Sequence, residues 1–292
     1  MQLSLPTLQP DTCQRWFNGR TSFRLAQEPI NPDHFAVEPI EFGVGKTFVE
    51  THHYSRSFSP CRQSYGLFFK PNALEPSRLV GVATFAPASN VNSITKYSGL
   101  PFSQGAELSR LVILDSVGGC GETWFLARAL RQFKESHPEC KIVISYSDPV
   151  ARRNTDGTVT MPGHVGSIYQ ASNALFLGTA SPKTQYLDPK TGLAYANRGL
   201  AKIRNNEVGR EYAEKKLTEF SGAERMPDET PAAFVKRALA MLKPQRHPGN
   251  YCYAFPLAAN RREKHAILAL PTLRHYAQNA GPLPKRPYPL AA

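Results

Sequence analysis

The sequence lacks three features that would place it in common classes of protein. No run of 18 or more apolar residues is present, which argues against a transmembrane helix. The five cysteines are odd in number, scattered and without a CxxC pair, so neither a disulfide framework nor a cysteine zinc site is indicated. Residues 1–6 lack the basic and apolar regions of a signal peptide. We therefore expect a cytoplasmic protein with reduced thiols and no membrane association.

Acidic residues are scarce relative to basic ones. The chain carries 35 Lys and Arg against 23 Asp and Glu, a net charge of +12. Residues 198–292 hold 17 of the basic and 8 of the acidic residues, so the last third alone has a net charge of +9. This charge favours a polyanionic partner, with nucleic acid as the first candidate. A solvated surface that keeps the protein soluble is the alternative explanation.

The most organised stretch of the sequence alternates apolar strands with helices between residues 107 and 179. Its predicted elements are a strand at 107–114, a glycine-rich turn at 118–121, a helix at 122–135, a strand at 141–147, a short helix near 166–172 and a strand at 174–179. The helix between the first two strands has the length of a crossover connection. The fold class expected is α/β, with a central mixed sheet flanked by helices.

Weaker patterns surround this stretch. We expect an irregular segment at 1–40, a helix entry or short strand at 45–50, a hairpin from 66–70 and 79–85, a loop at 86–105, a hairpin at 185–195, helices within 201–220 and 230–242, a turn at 245–250, a returning strand at 251–257 and a loose tail at 280–292. The expected domains are an N-terminal extension (1–45), a catalytic core (46–200) and a basic helical extension (201–292).

Ligands bind at the carboxyl ends of parallel strands, and two predicted loops lie there. In the first, a glycine turn opens onto a helix and leaves backbone N–H groups available to a phosphate. Gly119, Gly121, Glu122 and Thr123 are therefore the candidate cofactor-binding residues. The second loop contains residues 147–149 together with 163–166.

The second loop contributes candidate catalytic side chains. Asp148, which follows Ser147 at a strand end, is placed to accept a proton from an amine or to orient it, or it is a turn former. Tyr169 is a proton donor or a packed aromatic residue. A buried Arg110 requires a carboxylate such as Glu107 or an anionic ligand, whereas an exposed one requires neither.

Histidines are a further group of candidates. His164 is a base, a ligand or a turn residue. His52 and His53 are candidate metal ligands, but adjacent residues of an extended chain point in opposite directions, which disfavours one shared ion. His53 and Tyr54 belong to a dense polar cluster at 51–60.

The strand, glycine turn, helix and second strand resemble the acyl-CoA-binding half of a GNAT acyltransferase. Gly119 and Gly121 have the alternation of that family's signature, and its basic lead residue is absent here.

Five blocks of residues, in order, resemble the Mom DNA-modification proteins of bacteriophages. The blocks are His53-Tyr54-Ser55-Arg56, Glu107-Leu108-Ser109-Arg110, Ser145-Tyr146-Ser147-Asp148-Pro149, Gly163-His164 and Ile168-Tyr169-Gln170-Ala171. A segment with Arg246, His247 and Tyr251 is similar to that family's closing strand. The resemblance runs from about residue 46 to residue 257.

The resemblance implies a GNAT-like fold and conversion of adenine in duplex DNA to N6-carbamoylmethyladenine, which protects phage DNA from restriction in the host cytoplasm. It implies that Asp148, Tyr169 and Arg110 match essential residues and that His53 and Tyr54 match an N-terminal His-Tyr pair. The partners implied are double-stranded DNA and a small-molecule donor. An acyl-CoA-type donor and iron are the cofactors proposed for the family.

The resemblance thus implies a transferase acting on adenine N6 of DNA. Modification requires the base to be flipped out of the stack, and we expect Asp148 and Tyr169 to share the cavity that receives it. The alternatives are a GNAT-type N-acyltransferase acting on a protein or small amine, and a DNA-binding protein without catalysis.

Overall fold

The computed structural model of the chain describes residues 12–17, 20–25, 29–72 and 74–285. Its strands are β1 (Thr12–Phe17), β2 (Arg20–Leu25), β3 (Phe35–Ile40), β4 (Gln63–Phe69), β5 (Arg78–Ala86), β6 (Gly105–Ile113), β7 (Ile142–Ser147), β8 (Arg152–Arg153), β9 (Val159–Met161), β10 (Leu175–Thr179), β11 (Lys183–Leu187), β12 (Lys243–His247) and β13 (Tyr251–Pro256). Its α-helices are α1 (Phe42–His52), α2 (Ser93–Ser98), α3 (Gly121–Ser136), α4 (Ser167–Ala171), α5 (Asn197–Arg204), α6 (Arg210–Ser221), α7 (Pro231–Ala240), α8 (Arg261–Leu268) and α9 (Pro271–Asn279).

A seven-stranded mixed sheet has the order β10-β13-β7-β6-β5-β4-β3. Strands β3 to β6 form an antiparallel meander, whereas β6 and β7 are parallel and are connected by α3. Strand β13 returns to the sheet antiparallel to β7. The expected α/β class, with a central mixed sheet flanked by helices, is confirmed.

Each face of the sheet has its own apolar core because side chains alternate along a strand. On β7, Val143 belongs to one core, whereas Ile142 and Ile144 belong to the other. The first core includes the buried stripe of α3, with Phe125 and Phe133 at helical spacing. The second core includes buried side chains of α2, α8 and α9. Helices thus cover both faces.

The chain divides into two compact units. Unit 1 comprises Met1–Ser147, Val165–Gly178 and Tyr251–Ala292, and unit 2 comprises Asp148–His164 and Thr179–Asn250. Unit 2 contains the two-stranded sheets β8-β9 and β11-β12 and a core formed by α5, α6 and α7. Helix α7 begins as expected, with the Thr230 side chain accepting a hydrogen bond from the Ala233 N–H and Pro231 at the first position. The sequential domain bounds at residues 45 and 200 stay a prediction.

Several elements differ from the sequence-based expectation. The predicted loop at 86–105 contains α2, whose Ile94 and Tyr97 are buried. The N-terminal segment contains the β1-β2 hairpin and the strand β3 at the edge of the large sheet. Residues 45–50 lie within α1, which agrees with the helix alternative of the prediction and excludes the strand. The burial of α2 against the sheet and the pairing of β3 with β4 override weak local signals.

The C-terminal half shows further differences. The hairpin predicted at 185–195 is confirmed in part, by a closed turn and an isolated antiparallel bridge between Leu187 and Ala194, whereas the extended pairing of β11 is with the distant β12. Strand β12 includes part of the predicted turn at 245–250. The region 201–220 forms two helices, α5 and α6, and helices α8 and α9 were not expected. Strand β13 confirms the returning strand, and residues 286–292 of the predicted tail lie outside the described residues.

No helix in the described part of the chain is long and apolar enough to cross a membrane.

A buried lysine ties α3 to α8. Lys134 Nζ donates to Glu263 Oε1 at 2.8 Å and to the Pro138 and Cys140 carbonyls at 2.8 and 3.0 Å. We predict that Glu263→Gln lowers the free energy of unfolding by about 1–3 kcal/mol in urea titrations, because a buried ammonium loses its counter-charge. The matched variant Glu219→Gln, in the exposed pair with Lys216, is expected to leave the midpoint unchanged. Equal effects of the two variants would contradict the role of burial.

Candidate functional site

Unit 1 contains a cluster around Arg110, which lies on β6. Its guanidinium donates to Ser57 through Nε (2.9 Å to the carbonyl) and Nη2 (3.1 Å to Oγ), and through Nη1 to the Ser109 carbonyl at 2.6 Å. Burial lowers the pKa of Arg110, while Tyr54, Glu107 and Tyr169 act in the opposite direction. Within the described residues, no carboxylate lies at ion-pair distance from Arg110. The cation is therefore held by neutral oxygens.

A chain of hydroxyl groups joins Arg110 to His53. His53 Nδ1 lies 2.8 Å from Ser55 Oγ, which lies 3.3 Å from Ser57 Oγ. The Ser55 backbone N–H donates to His53 Nδ1 at 3.1 Å, so Nδ1 is the acceptor and the ring proton is assigned to Nε2. The His53 and Tyr54 rings pack at 4.0 Å between centroids. The segment after α1 is thus fixed to β6 by side chains that the sequence marked as polar.

Tyr169, on α4, belongs to the same cluster. Its ring is 9% exposed and packs edge-on against Tyr253 and Phe255. Burial raises the pKa of Tyr169, whereas a hydrogen bond with Ser145 and the charge of Arg110 act to lower it. The phenol therefore keeps its proton at neutral pH. Tyr169 is thus a packed aromatic residue that is also influenced by the charge of Arg110, and its role as a proton donor stays a prediction.

Ser145 and Ser147 lie two residues apart on β7 and so on one face of the strand. Ser145 Oγ donates to the Leu108 carbonyl at 3.2 Å. Ser147 is fully buried, and its hydroxyl has no hydrogen-bond partner among the described residues. A buried hydroxyl without a partner is costly, so Ser147 is a candidate contact for a ligand.

Glu107 is bound by the loop before α2 and forms no ion pair with Arg110. It accepts hydrogen bonds from the Ser89 N–H at 2.8 Å and the Ser89 hydroxyl at 3.1 Å. Burial raises the pKa of Glu107, while those bonds and the charge of Arg110 lower it. The carboxylate partner considered for Arg110 is therefore only a neighbour through space.

Unit 2 contains a second network, centred on Asp148. Asp148 Oδ2 accepts from Arg152 Nη2 at 2.7 Å, and Oδ1 accepts from the Val150 N–H at 3.0 Å and from His247 Nε2 at 2.8 Å. Burial alone would raise the pKa of Asp148, but the Arg152 charge and these hydrogen bonds hold it below its ordinary value. Asp148 is thus a fixed anion, better suited to orienting a group than to accepting a proton.

Arg152 and His247 support this carboxylate; the sequence-based reasoning missed Arg152 and named His247 only within the segment similar to the family's closing strand, without a role. Arg152 is buried and also donates to Gln185 Oε1 at 2.7 Å. His247 is 1% exposed, and its Nδ1 accepts from the Gly249 N–H at 3.0 Å, so its Nε2 carries the proton that binds Asp148. The only local signal was the spacing of Arg152 four residues after Asp148; no local pattern connects Asp148 with a histidine 99 residues later.

His164 lies beside this network, in a loop whose conformation requires the preceding glycine, Gly163. The backbone N–H of His164 donates to the backbone carbonyl of Asp148 at 2.7 Å. Gly163 has φ +68°, and a Cβ there would lie 2.7 Å from the Pro149 carbonyl oxygen, so only glycine allows the two loop segments to approach. Burial lowers the pKa of His164 to about 4 despite the charge of Asp148. A neutral imidazole, and not a cation, is therefore present at pH 7.

The glycine turn at the start of α3 is occupied by contacts within the chain. The Gly119 carbonyl accepts from the Ile30 N–H at 3.0 Å, and the Thr123 hydroxyl donates to the Cys120 carbonyl at 3.0 Å. A Cβ at Gly121 would lie 2.5 Å from Val117 Cγ1, so this glycine is required by packing. Glu122 puts a buried carboxylate in the first turn, where it interacts favourably with the helix dipole. A cofactor role for these four residues stays a prediction.

The described donor side chains do not fit a protein-bound iron. They include no group of three His, Cys, Asp or Glu residues placed to hold a metal ion. His52 packs against Phe48 at 4.6 Å between ring centroids, whereas His53 binds Ser55, so the two adjacent histidines have separate partners. No step of the proposed chemistry is assigned to a metal.

The structure brings Arg110, Tyr169, His53 and Tyr54 into one cluster of unit 1, together with Ser57 and Ser145. Asp148 belongs to unit 2. The expectation that Asp148 and Tyr169 share one cavity stays a prediction.

A double-mutant cycle measures the Asp148–Arg152 pair. We predict that Asp148→Asn lowers the free energy of unfolding by about 3 kcal/mol, because it leaves a buried guanidinium without its counter-charge. Combining it with Arg152→Gln should recover part of this loss, giving a coupling of about 0.5–3 kcal/mol in urea titrations. Additive effects of the two substitutions would show that the pair is not coupled.

The lowered pKa of His164 predicts how stability depends on pH. Between its ordinary pKa of 6.5 and the folded value of about 4, the unfolded chain binds a proton at this site that the folded chain does not. The free energy of unfolding should therefore fall as pH decreases through this window, by up to about 1.4 kcal/mol per pH unit. Stability of the native chain and of His164→Gln, measured at pH 7 and pH 5, should differ in slope; parallel slopes would contradict the assignment.

Comparison with known proteins places these residues in a family context. The model of the Mom protein family matches residues 34–229, which include both Arg110 and Asp148. Methylcarbamoylase mom of Escherichia phage Mu is 29% identical over 156 residues, 52% of this chain and 57% of the phage protein. The matched region thus spans little more than half the length of that relative.

Among solved structures, malonyl-CoA decarboxylase from Rhodopseudomonas palustris aligns with 82% of this chain and 60% of its own, at 12% identity and a TM-score of 0.33. A similarity this low supports no conclusion about fold or function.

Proposed function

This chain belongs to the Mom protein family, and from that premise we propose that it is an enzyme that modifies adenine at N6 in duplex DNA, giving N6-carbamoylmethyladenine or a related N6-substituted adenine. The proposal includes a GNAT-like catalytic core and action in a host cytoplasm, where the modification would protect phage DNA from restriction. The observation that carries it is Arg110, a half-buried cation in the family-matched region whose hydrogen bonds to described residues all go to neutral oxygens.

The reaction that we propose is a substitution at a donor of unidentified class. The adenine N6 nitrogen forms a bond to a carbon of the donor, the donor's leaving group departs with the bonding electron pair, and one N6 proton is released. Arg110 would hold an anionic part of the donor or the departing group, because three of its five N–H donors are occupied by described residues and two remain. Tyr169, with its raised pKa, would supply a hydrogen bond or a proton to the leaving group.

Asp148 would act as an orienting anion. The adenine amine is a weak nucleophile because its lone pair is delocalised into the ring. A carboxylate that accepts a hydrogen bond from one N6–H would orient the nitrogen for attack on the donor. The lowered pKa of Asp148 supports orientation over general-base catalysis. Tyr54, packed against His53, offers a face for stacking of the extruded base.

The test is nucleoside mass spectrometry of a plasmid co-expressed with the protein. The native chain should add mass to deoxyadenosine, and Arg110→Gln and Tyr169→Phe should each reduce the modified fraction at least about 100-fold, the scale of losing one stabilising contact to a transition state. Arg131→Gln removes the same charge from an exposed position on α3 and serves as the matched control.

Each rival function has a distinct outcome. Unmodified deoxyadenosine with the native chain would contradict the proposal. Turnover of acyl-CoA in the absence of DNA would identify an N-acyltransferase, and salt-sensitive DNA binding without modification would identify a non-catalytic protein. Thermal unfolding of each variant separates loss of chemistry from loss of fold.

A further inference from the structure

Unit 2 contains a pocket of about 330 Å³. Its lining includes none of the residues to which the proposed function gives a role. Strands β8, β11 and β12 provide its walls through Arg152, Arg153, Leu187, Lys243 and Gln245. Leu187 and Lys243 are cross-strand partners, as are Gln185 and Gln245, so the antiparallel pairing of β11 with β12 sets the spacing of the lining residues. The volume is at the lower end of the range for small-molecule sites.

The lining is cationic. Arg152 is compensated by Asp148. Arg153 donates to the Gly157 carbonyl, a neutral partner, and Lys243 is exposed. No carboxylate is among the residues that line the pocket. Two uncompensated positive charges at a concave surface attract an anionic group such as a phosphate.

Two buried polar atoms in the wall lack partners. Arg152 Nε, a donor, and Gln245 Oε1, an acceptor, are buried without a hydrogen bond to any described residue. A buried polar atom without a partner costs about 1–3 kcal/mol, so such atoms mark places where a ligand or a water binds. Both residues line the pocket, as does the apolar Leu187.

We propose that this pocket binds a single nucleotide of the DNA substrate, with its phosphate at Lys243 and Arg153 and its base edge at Gln245. The inference rests on the proposed function for the choice of DNA over a free nucleotide. A glutamine amide pairs with adenine through complementary donors and acceptors, and Leu187 offers an apolar surface to the base. Lys243 and Gln245 lie outside the family-matched region, at residues beyond 229.

Binding to DNA tests the proposal without any donor. The probe is a fluorescein-labelled duplex with one unpaired adenine, and the comparison is the same duplex with an abasic site. The full chain should bind the unpaired adenine at least fivefold more tightly. Lys243→Gln and Arg153→Gln should each weaken binding of both duplexes about tenfold. Lys183→Gln, which removes an exposed lysine from the same two-stranded sheet, should change the affinity less than twofold.

Gln245→Leu separates base recognition from charge. It should abolish the preference for the unpaired adenine while leaving the affinity for the abasic duplex within twofold. Competition identifies the source of the phosphate: dAMP should displace the probe at concentrations where inorganic phosphate does not. Equal competition by phosphate, or a preference for adenine that survives Gln245→Leu, would overturn the proposal.

The outcome is separable from that of the proposed function. If plasmid DNA stays unmodified but Lys243→Gln and Gln245→Leu behave as expected, the pocket assignment stands and the chemistry fails. If the Lys243→Gln variant modifies DNA with an unchanged KM for DNA, the pocket assignment is wrong and the proposed chemistry stands. Urea midpoints of the variants, compared with Lys183→Gln, show whether a loss of binding comes from a loss of fold.

Discussion

The position of β7 between two different partners is the constraint on which the functional residues depend. Its backbone pairs in parallel with β6 and antiparallel with β13, in registers that put Glu107 beside Ile144 and Tyr253 beside Ser145. With both edges hydrogen-bonded, the strand cannot slip without turning its side chains to the opposite face of the sheet. This register directs Ser145 to Tyr169 and ends the strand at Ser147, immediately before Asp148.

Two partly buried charges, Asp148 and Arg110, illustrate two ways in which a protein stabilises an ion that has lost part of its contact with water. Asp148 is matched by a full cation, a histidine N–H and a backbone N–H, which lowers its pKa and leaves it little capacity to take a proton. Arg110 is held by two carbonyl oxygens and a hydroxyl. The compensated ion suits a structural or orienting role, whereas the cation without a counter-ion retains its attraction for an anion. The difference supports separate roles for the two residues in the proposed reaction.

Much of the central architecture could be predicted because its signals are local. The apolar runs of β6 and β7, the helical stripe of α3 and the threonine-proline start of α7 each depend on residues within one element. The errors occurred where partners are distant. Strand β11 has a turn signal beside it, yet it pairs with β12, and α2 was expected to be a loop although Ile94 is buried in the sheet's second core. Local propensity cannot report contacts that form only after collapse.

The sequence alone determined the class of fold, the polar blocks that resemble the family and the candidates Arg110, Asp148 and Tyr169. It could do so because periodicity and residue type depend only on the order of residues in the chain. Only the tertiary structure decided the partners of these residues: Ser57 for Arg110, and Arg152 and His247 for Asp148. It also decided that His164 is neutral and that a cationic pocket lies between three short strands of unit 2. The physical reason is that burial and electrostatic compensation arise from neighbours in space, and here those neighbours are up to 99 residues apart in the chain.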